Sequence, residues 1–386
     1  MKRIYLDYAA TTPVDERVIT AMLPYFKENF GNPSSLHGFG QVGERALDES
    51  RRSIASNLGA LPSEIIFTSC GSESDNLALR GTAFTRREEH GYNHILISPI
   101  EHPAIQATAE QLAEHHGFEI SYLPIDHSGQ VNTELMENHF REDTALVSVM
   151  GANNEIGTIN PIQKIADLCQ DRGIPFHTDA VQYGAHLKID VEKLGLDLLS
   201  LGAHKFYGPK GVGVLYIRSG MRVMPTLTGG SQEFGLRAAT ENIPLIVGMA
   251  KAFSLAQEEG AVRRERQVLL RDQIIEFVLE EIPDSQLTGG GPEERLPNHT
   301  SFVFKNLDGN LLIQVLDSEG FACSSGSACK TGDPKPSSVL TNLGYEPEWA
   351  LGSLRVTLGK DTTQEEVDKF LYILPECVQR VREASR

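Results

Sequence analysis

Lys205 is where the sequence first suggests chemistry. It lies in Ser200-Leu-Gly-Ala-His-Lys205-Phe-Tyr-Gly-Pro-Lys-Gly211, where an apolar run meets a Gly/Pro-rich turn. A lysine must lose its proton to attack a carbonyl and form a Schiff base, and partial burial lowers its pKa. The plain alternative is a loop lysine that reaches for water. Asp179 stands about 25 residues earlier, in Ile174-Pro-Phe-His-Thr-Asp-Ala-Val-Gln182, at the end of another apolar run. A buried carboxylate needs a charged or hydrogen-bonded partner, and a pyridinium N–H is one. Capping of the next helix is the other reading of Asp179. Thr68-Ser-Cys-Gly-Ser72-Glu-Ser-Asp-Asn76 ends a strand and opens a helix. Backbone N–H groups at such a start, with the Ser72 hydroxyl, make an anion site, although N-capping alone also explains the segment. An amine for an aldehyde and a carboxylate for a ring nitrogen form the pairing that pyridoxal phosphate requires, and the anion site suits its phosphate.

A fourth segment, Ala322-Cys-Ser-Ser-Gly-Ser-Ala-Cys329-Lys-Thr-Gly, carries a different reactive group. Core cysteines sit among large apolar neighbours, and Cys329 does not. Lys330 beside it favours the thiolate. Cys323 reads as packed at a strand end. Cys70, Cys169 and Cys377 read as structural.

The elements that must position these groups alternate. Short apolar runs at Glu64–Thr68, His94–Ser98, Phe118–Leu123, Ala145–Met150, Ile174–Thr178, Leu196–Leu201 and Gly211–Ile217 are bounded by turn residues. Near-continuous apolar runs are how a sheet covered on both faces reads. Amphipathic helices at His102–His116 and Pro161–Arg172 lie between them. This predicts an α/β domain with a mostly parallel, seven-stranded sheet, whose strand ends face a ligand crevice. After residue 255 the pattern changes to a smaller α+β unit. Charged helical residues cover Ala261–Glu281, and a linker or turn follows at Gly289-Gly290-Gly291-Pro292. Strands are expected near Ser301–Phe304 and Ser353–Leu358, with a helix over Gly309–Glu319. The last helix, Thr363–Glu383, has a Thr363/Glu366 capping box. We place a large domain at 15–255 and a small one at 1–14 with 256–386.

Composition narrows the class. The chain has 386 residues, 40% of them hydrophobic and 23% charged, and a formal net charge of −17. Such a balance opposes direct nucleic-acid or anionic-membrane binding. Five cysteines without a C-x-x-C pair suggest reduced thiols in a cytoplasmic protein. The N-terminal MKRIYLDYAATTP lacks the apolar core of a signal peptide, and no apolar run is long enough to span a membrane. No nucleotide-binding G-x-G-x-x-G or P-loop follows a strand, and no metal site is expected.

With these segments in view, the chain resembles the cysteine desulfurases of the NifS/IscS type, class V aminotransferase relatives of pyridoxal-phosphate (PLP) fold type I. The resemblance covers nearly the whole chain. It runs through Tyr5-Leu-Asp-Tyr-Ala-Ala-Thr-Thr-Pro13, Gly31-Asn-Pro-Ser-Ser35, Glu101-His-Pro103 and Asn153-Asn-Glu-Ile-Gly157. It continues in His177-Thr-Asp-Ala-Val-Gln182, His204-Lys205, Thr240-Glu-Asn242, Ser324-Ser-Gly-Ser-Ala-Cys329 and Leu354-Arg355. The segment from Cys329 to Leu340 has the length of the longer cysteine loop of that group.

The resemblance implies roles. Lys205 carries the cofactor, Asp179 pairs with its ring nitrogen, and His102 stacks on the ring and shuttles protons. Gln182 and Asn154 face the ring oxygen, while Gly71, Ser72 and His204 hold the phosphate. Thr240 reaches the phosphate of the other subunit of a homodimer. Arg355 and Asn32 bind the substrate carboxylate. Cys329 takes the sulfur of L-cysteine as a persulfide, leaving L-alanine, and passes it to an acceptor such as an iron–sulfur scaffold or a tRNA-thiolation partner. A selenocysteine lyase or another class V aminotransferase-like enzyme is the alternative. The chain departs from the family pattern at Gly202, where a phosphate-binding Ser is usual and for which Ser200 is a candidate substitute. It also departs at Cys70, Ser72, Ala238 and Ala239.

Overall fold

The computed structural model describes residues 3–326 and 335–384, so Cys329, Lys330 and Gly332 lie outside the described residues. A short strand, β1 (Ile4–Tyr5), precedes the central sheet. The sheet is built from β2 (Ile65–Thr68), β3 (His94–Ile97), β4 (Glu119–Tyr122), β5 (Thr144–Ser148), β6 (Phe176–Asp179), β7 (Leu198–Gly202) and β8 (Gly213–Ile217). Further on lie β9 (Ser285–Leu287), β10 (His299–Phe304), β11 (Phe321–Ala322) and β12 (Ser353–Thr357). All seven expected sheet strands are present, with ends within two or three residues of the apolar runs.

The sheet order is β2-β8-β7-β6-β5-β3-β4. Neighbours from β7 to β4 are parallel, whereas β8 runs antiparallel to both β7 and β2. Two reversals leave β2 pointing the same way as β6 and β7. The C-terminal ends of β2, β3, β5, β6 and β7 therefore open on one edge, which is where α/β sheets place their ligands.

Alternation along each strand divides the apolar side chains between two faces. Phe67, Val147, Phe176, Leu199, Leu201 and Tyr216 pack on one side, against the Gly38–Leu58 helix and the start of the Ile243–Glu281 helix. Ile66, Leu146, Leu198, Leu215 and Ile217 pack on the other, against the Gly71–His90 and Pro103–His116 helices. Both faces are dry, and this is why the strands read as unbroken apolar runs.

A separate apolar core joins β1, β10, β11 and β12 to the Gly309–Ser318 and Gln364–Ala384 helices. The Thr363/Glu366 capping box forms, with Thr363 N donating to Glu366 at 3.1 Å and Glu366 N to Thr363 at 3.2 Å. One finding departs from the sequence reading. The charged stretch Ala261–Glu281 is the second half of a single 39-residue helix, Ile243–Glu281. Its first half supplies Ile246, Met249 and Phe253 to the sheet core; its second supplies Leu270, Ile274 and Val278 to the other. The position 255/256 lies inside it. Gly289 to Pro292 form a turn packed on the body of the protein. Gly289 has φ +77°, and a Cβ there would lie 2.5 Å from Thr158 Oγ1.

Candidate active site

The open edge of the sheet holds a cavity of about 240 Å³. Its lining brings together residues from distant segments: Gly71, Ser72, His102, Asn154, Asp179, Gln182, His204, Lys205 and Arg355. Asn32 and Thr240 are exposed and do not line it; Asn32 Oδ1 accepts from Ser34 N at 2.9 Å in a local turn.

Each element delivers its residue for a local reason. β7 ends at Gly202, and a short 3-10 turn over Ala203–Lys205 swings the lysine into the cavity. Lys205 Nζ donates to Ala9 O at 2.7 Å and Ala10 O at 2.8 Å. Burial and the Arg355 charge bring its ammonium down to about 8, against the opposing pull of Asp179 and Asp7. An amine with such a pKa is available as a nucleophile near neutrality.

Asp179 is the last residue of β6 and is 6% exposed. Its Oδ1 accepts from Val181 N at 2.9 Å, so it does cap the turn that follows. Burial pushes its carboxyl up, while His102, the Val181 amide and Lys205 act in the opposite direction. His102 caps the Pro103–His116 helix, its Nδ1 accepting from Ala104 N at 3.1 Å. Burial lowers its pKa, with Lys205 adding to the effect and Asp179 opposing it. Both residues thus make capping contacts and also line the cavity. Gln182 Nε2 donates to Ala9 O at 2.9 Å, and His204 Nδ1 lies 3.1 Å from Thr11 Oγ1. Burial brings His204 down to about 4. Arg355, on β12, reaches back to Asn154 O at 2.9 Å and Asp7 at 2.8 Å.

The donor set fits pyridoxal phosphate. Gly71 opens a 20-residue helix at the cavity wall, and the start of a helix offers unpaired N–H groups to an anion. A Cβ on Gly71 would lie 2.8 Å from Val181 Cγ2, so a side chain there would crowd the cradle wall. The buried Asp179 carboxylate suits a pyridinium N–H, and Lys205 suits the aldehyde. At Gly202 a Cβ would stand 3.6 Å from Gly71 N, in ordinary contact distance. A serine hydroxyl at 202 would therefore point toward the helix start. Ser200 does not take its place: its hydroxyl is buried and lies 3.0 Å from His177 Nε2. Ser72 and His204 are the hydroxyl and imidazole side chains that line the cavity there.

Three groups with no role assigned from the sequence share the site. Asp75, on the Gly71–His90 helix, is 1% exposed, and its Oδ1 has no partner among the described residues. One ligand atom each of Asp75, His102 and Asp179 lie within 4.8 Å of one another. Burial, with Asp179 adding to it, drives the Asp75 carboxyl well above its usual range. Glu101 is also buried and is pushed up to about 8; one of its oxygens accepts from Met150 N at 2.8 Å. Asp7 pairs with Arg355. All three lie inside the quoted motifs. Burial, which no local pattern announces, marks Asp75 and Glu101, and the ion pair marks Asp7.

Of the other thiols, Cys169 is fully buried and its pKa is raised by burial, and Cys377 is raised to about 11. Burial raises Cys323 as well. None of the three is poised as a thiolate.

A parallel α/β sheet with a lysine beyond one strand end, a buried carboxylate at the next and an anion cradle opposite defines a PLP enzyme of fold type I. The sequence profile of the family described as aminotransferase class-V matches residues 4–370. The chain belongs to that family. A cysteine desulfurase IscS of Methanosarcina thermophila is 47% identical over 384 residues, covering 100% of this chain and 94% of that protein. One from Dictyoglomus turgidum is 47% identical over 386 residues, covering 100% and 97%. Among solved structures, a NifS-like protein superposes with a TM-score of 0.91 at 38% identity, covering 98% of this chain and 100% of the other. The apo cysteine desulfurase of Thermococcus onnurineus NA1 superposes at 0.86 and 26% identity, covering 98% and 95%. Among the described residues, no helix is long and apolar enough to cross a membrane.

Proposed function

We propose that the protein is a PLP-dependent cysteine desulfurase that converts L-cysteine to L-alanine and places the sulfur on Cys329. The observation that carries this is the pairing in one cavity of Lys205, its amine available near pH 8, with the buried Asp179. When bound, the cofactor supplies an electron sink for the substrate α-carbon. Asp179 holds the ring nitrogen's proton. Lys205 Nζ takes the α-proton and His102 Nε2 relays protons on the ring side. Gly71, Ser72 and His204 hold the phosphate, Gln182 and Asn154 the ring oxygen side, and Arg355 the substrate carboxylate. The Cys329 thiolate attacks the substrate sulfur, so that a C–S bond breaks and an S–S bond forms. The organic remainder keeps the electron pair of the C–S bond, gains a proton at Cβ and one at Cα, and leaves as L-alanine.

The two apolar cores support reading residues 15–255 as a large domain and 1–14 with 256–386 as a small one, joined through the long helix. A homodimer accords with an exposed apolar surface in which Phe30 and Phe39 lie 5.7 Å apart and Leu36 is 95% exposed. Exposed Thr240 suits the reach to a second subunit. The persulfide's acceptor is a protein such as an iron–sulfur scaffold, in a cytoplasmic setting.

Cys329→Ala tests the assignment. We expect the variant to keep the visible absorption of the lysine-bound cofactor and its shift on adding L-cysteine, while sulfide and alanine formation fall by at least about 10²-fold. Unchanged sulfide production would place the chain with selenocysteine lyases or other class V aminotransferase-like enzymes.

A further inference from the structure

The Tyr5–Pro13 motif has no part in the chemistry above, yet it touches four groups of the cavity. Ala9 O accepts from both Lys205 Nζ and Gln182 Nε2, Ala10 O accepts from Lys205 Nζ, and Thr11 meets His204. Asp7 Oδ1 accepts from Arg355 Nη2 at 2.8 Å. The segment is itself held in place. Leu6 N donates to Ala322 O at 2.9 Å, and Leu6 O accepts from Thr357 N at 2.8 Å. Ala9 N donates to Thr357 Oγ1 at 2.9 Å. It is thus tied to β11 and β12 on one side and to the sheet edge on the other.

The side chains of Asp7 and Arg355 are 16% and 11% exposed. A guanidinium this buried is costly without a counter-charge. Its long stem also has about 2 kcal/mol of rotamer entropy to lose when it is fixed. Asp7 and the Asn154 carbonyl fix two of its nitrogens before any substrate arrives. Nη1 and Nη2 each carry two N–H groups, of which these contacts use one, and the residue still lines the cavity. Donor capacity therefore remains for an incoming carboxylate.

We infer that Asp7 is a positioning residue for the desulfurase reaction: it holds Arg355 in the orientation that receives the carboxylate of L-cysteine, and offsets the Arg355 charge next to Lys205. The inference rests on the reading of Arg355 as the carboxylate-binding group. A preorganised guanidinium binds its anion without a further ordering cost.

The test is Asp7→Asn, close in shape and neutral. KM for L-cysteine should rise about tenfold while kcat stays within about threefold, as expected when an orienting contact is lost. A second readout needs no turnover. In the cofactor-free protein, pyridoxal-phosphate uptake should speed up as Lys205 loses its proton, with a midpoint near 8. In Asp7→Asn that midpoint should fall, because the amine keeps the Arg355 charge and loses that of Asp7. Asp7→Glu should restore part of both effects. An unchanged or lowered KM, a loss of kcat at unchanged KM, or an unmoved midpoint overturns the role of Asp7, as does a variant that does not fold. Arg355→Lys separates the two readings. If it leaves KM unchanged, the carboxylate role of Arg355 fails. If it raises KM while Asp7→Asn is silent, only the inference about Asp7 fails.

Discussion

Asp179 and Asp75 stand side by side at the floor of the cavity, yet their surroundings differ. Asp179, at the tip of β6, faces His102 and Lys205 and accepts the Val181 amide. Asp75, one helix away, faces Asp179, Glu101 and Cys70, together with Ser200. His177 lies 3.8 Å from it, but burial holds that imidazole neutral, with its pKa down to about 3. His102 is within 4.8 Å of both carboxyls and burial lowers its pKa, so Lys205 is the cation that separates them. Two carboxyls this close in a dry site do not both ionise. Burial is common to both, so the neighbours decide which one carries the charge. Lys205 beside Asp179 favours the charge there, and burial beside other acidic groups favours the proton on Asp75.

The cation that makes this difference is Lys205, and its removal should have the largest effect. Lys205→Ala should abolish the visible absorption of the lysine-bound cofactor and lower turnover by up to about 10⁴-fold, the upper end for a lost acid–base group. It also breaks the comparison. With the ammonium gone, Asp179 moves toward the state of Asp75. Infrared spectra of the cofactor-free variant should gain a protonated-carboxyl band beyond those that Asp75 and Glu101 give in the wild type. Asp179→Asn comes next. It leaves the ring N–H without an anion, and kcat should fall by about 10²–10³-fold, as for other electrostatic contacts made to developing charge. Cofactor still attaches to Lys205 in this variant, so an intact absorption band with slow turnover separates it from the lysine variant.

The sheet was legible in the sequence because both of its faces are dry. Each strand from Ile65 to Ile217 reads as an apolar run for that reason, and the two reactive residues stand at the ends of such runs. The long helix was not legible. Its halves serve different cores, so the apolar face drifts between Phe253 and Leu270 and the charged middle reads as a new beginning. The site was legible where a residue type implies a partner, as with Lys205 and Asp179. It was not legible where the partner comes through space. Asp7 and Arg355 are 348 positions apart. Ser200 lies two residues from Gly202, and period-two spacing puts its side chain on the face that a side chain at 202 would take. Its hydroxyl is nevertheless taken by His177 on the adjoining strand, a pairing set by the β6–β7 register. Cys329 rests on its motif, because it lies outside the described residues.

The smallest expected effect is the sharpest test of the comparison. If Asp75 holds a proton, Asp75→Asn exchanges one neutral group for another of nearly the same shape. Cofactor binding, and the pH at which the bound cofactor's absorption changes, should then stay near wild type, with kcat within about threefold. If Asp75 were instead ionised, the substitution would remove a negative charge next to Asp179, and that pH would move down by about a unit or more. Infrared spectroscopy reads the proton directly. Wild-type protein labelled with ¹³C-aspartate should show a protonated-carboxyl band at pH 7 that carries the isotope shift and is missing from Asp75→Asn. Glu101, also pushed up to about 8, contributes a band of its own, but one that the aspartate label leaves in place and Glu101→Gln removes. An aspartate-labelled protein with no such band would mean that both carboxyls are charged, and that the cavity floor carries two negative charges.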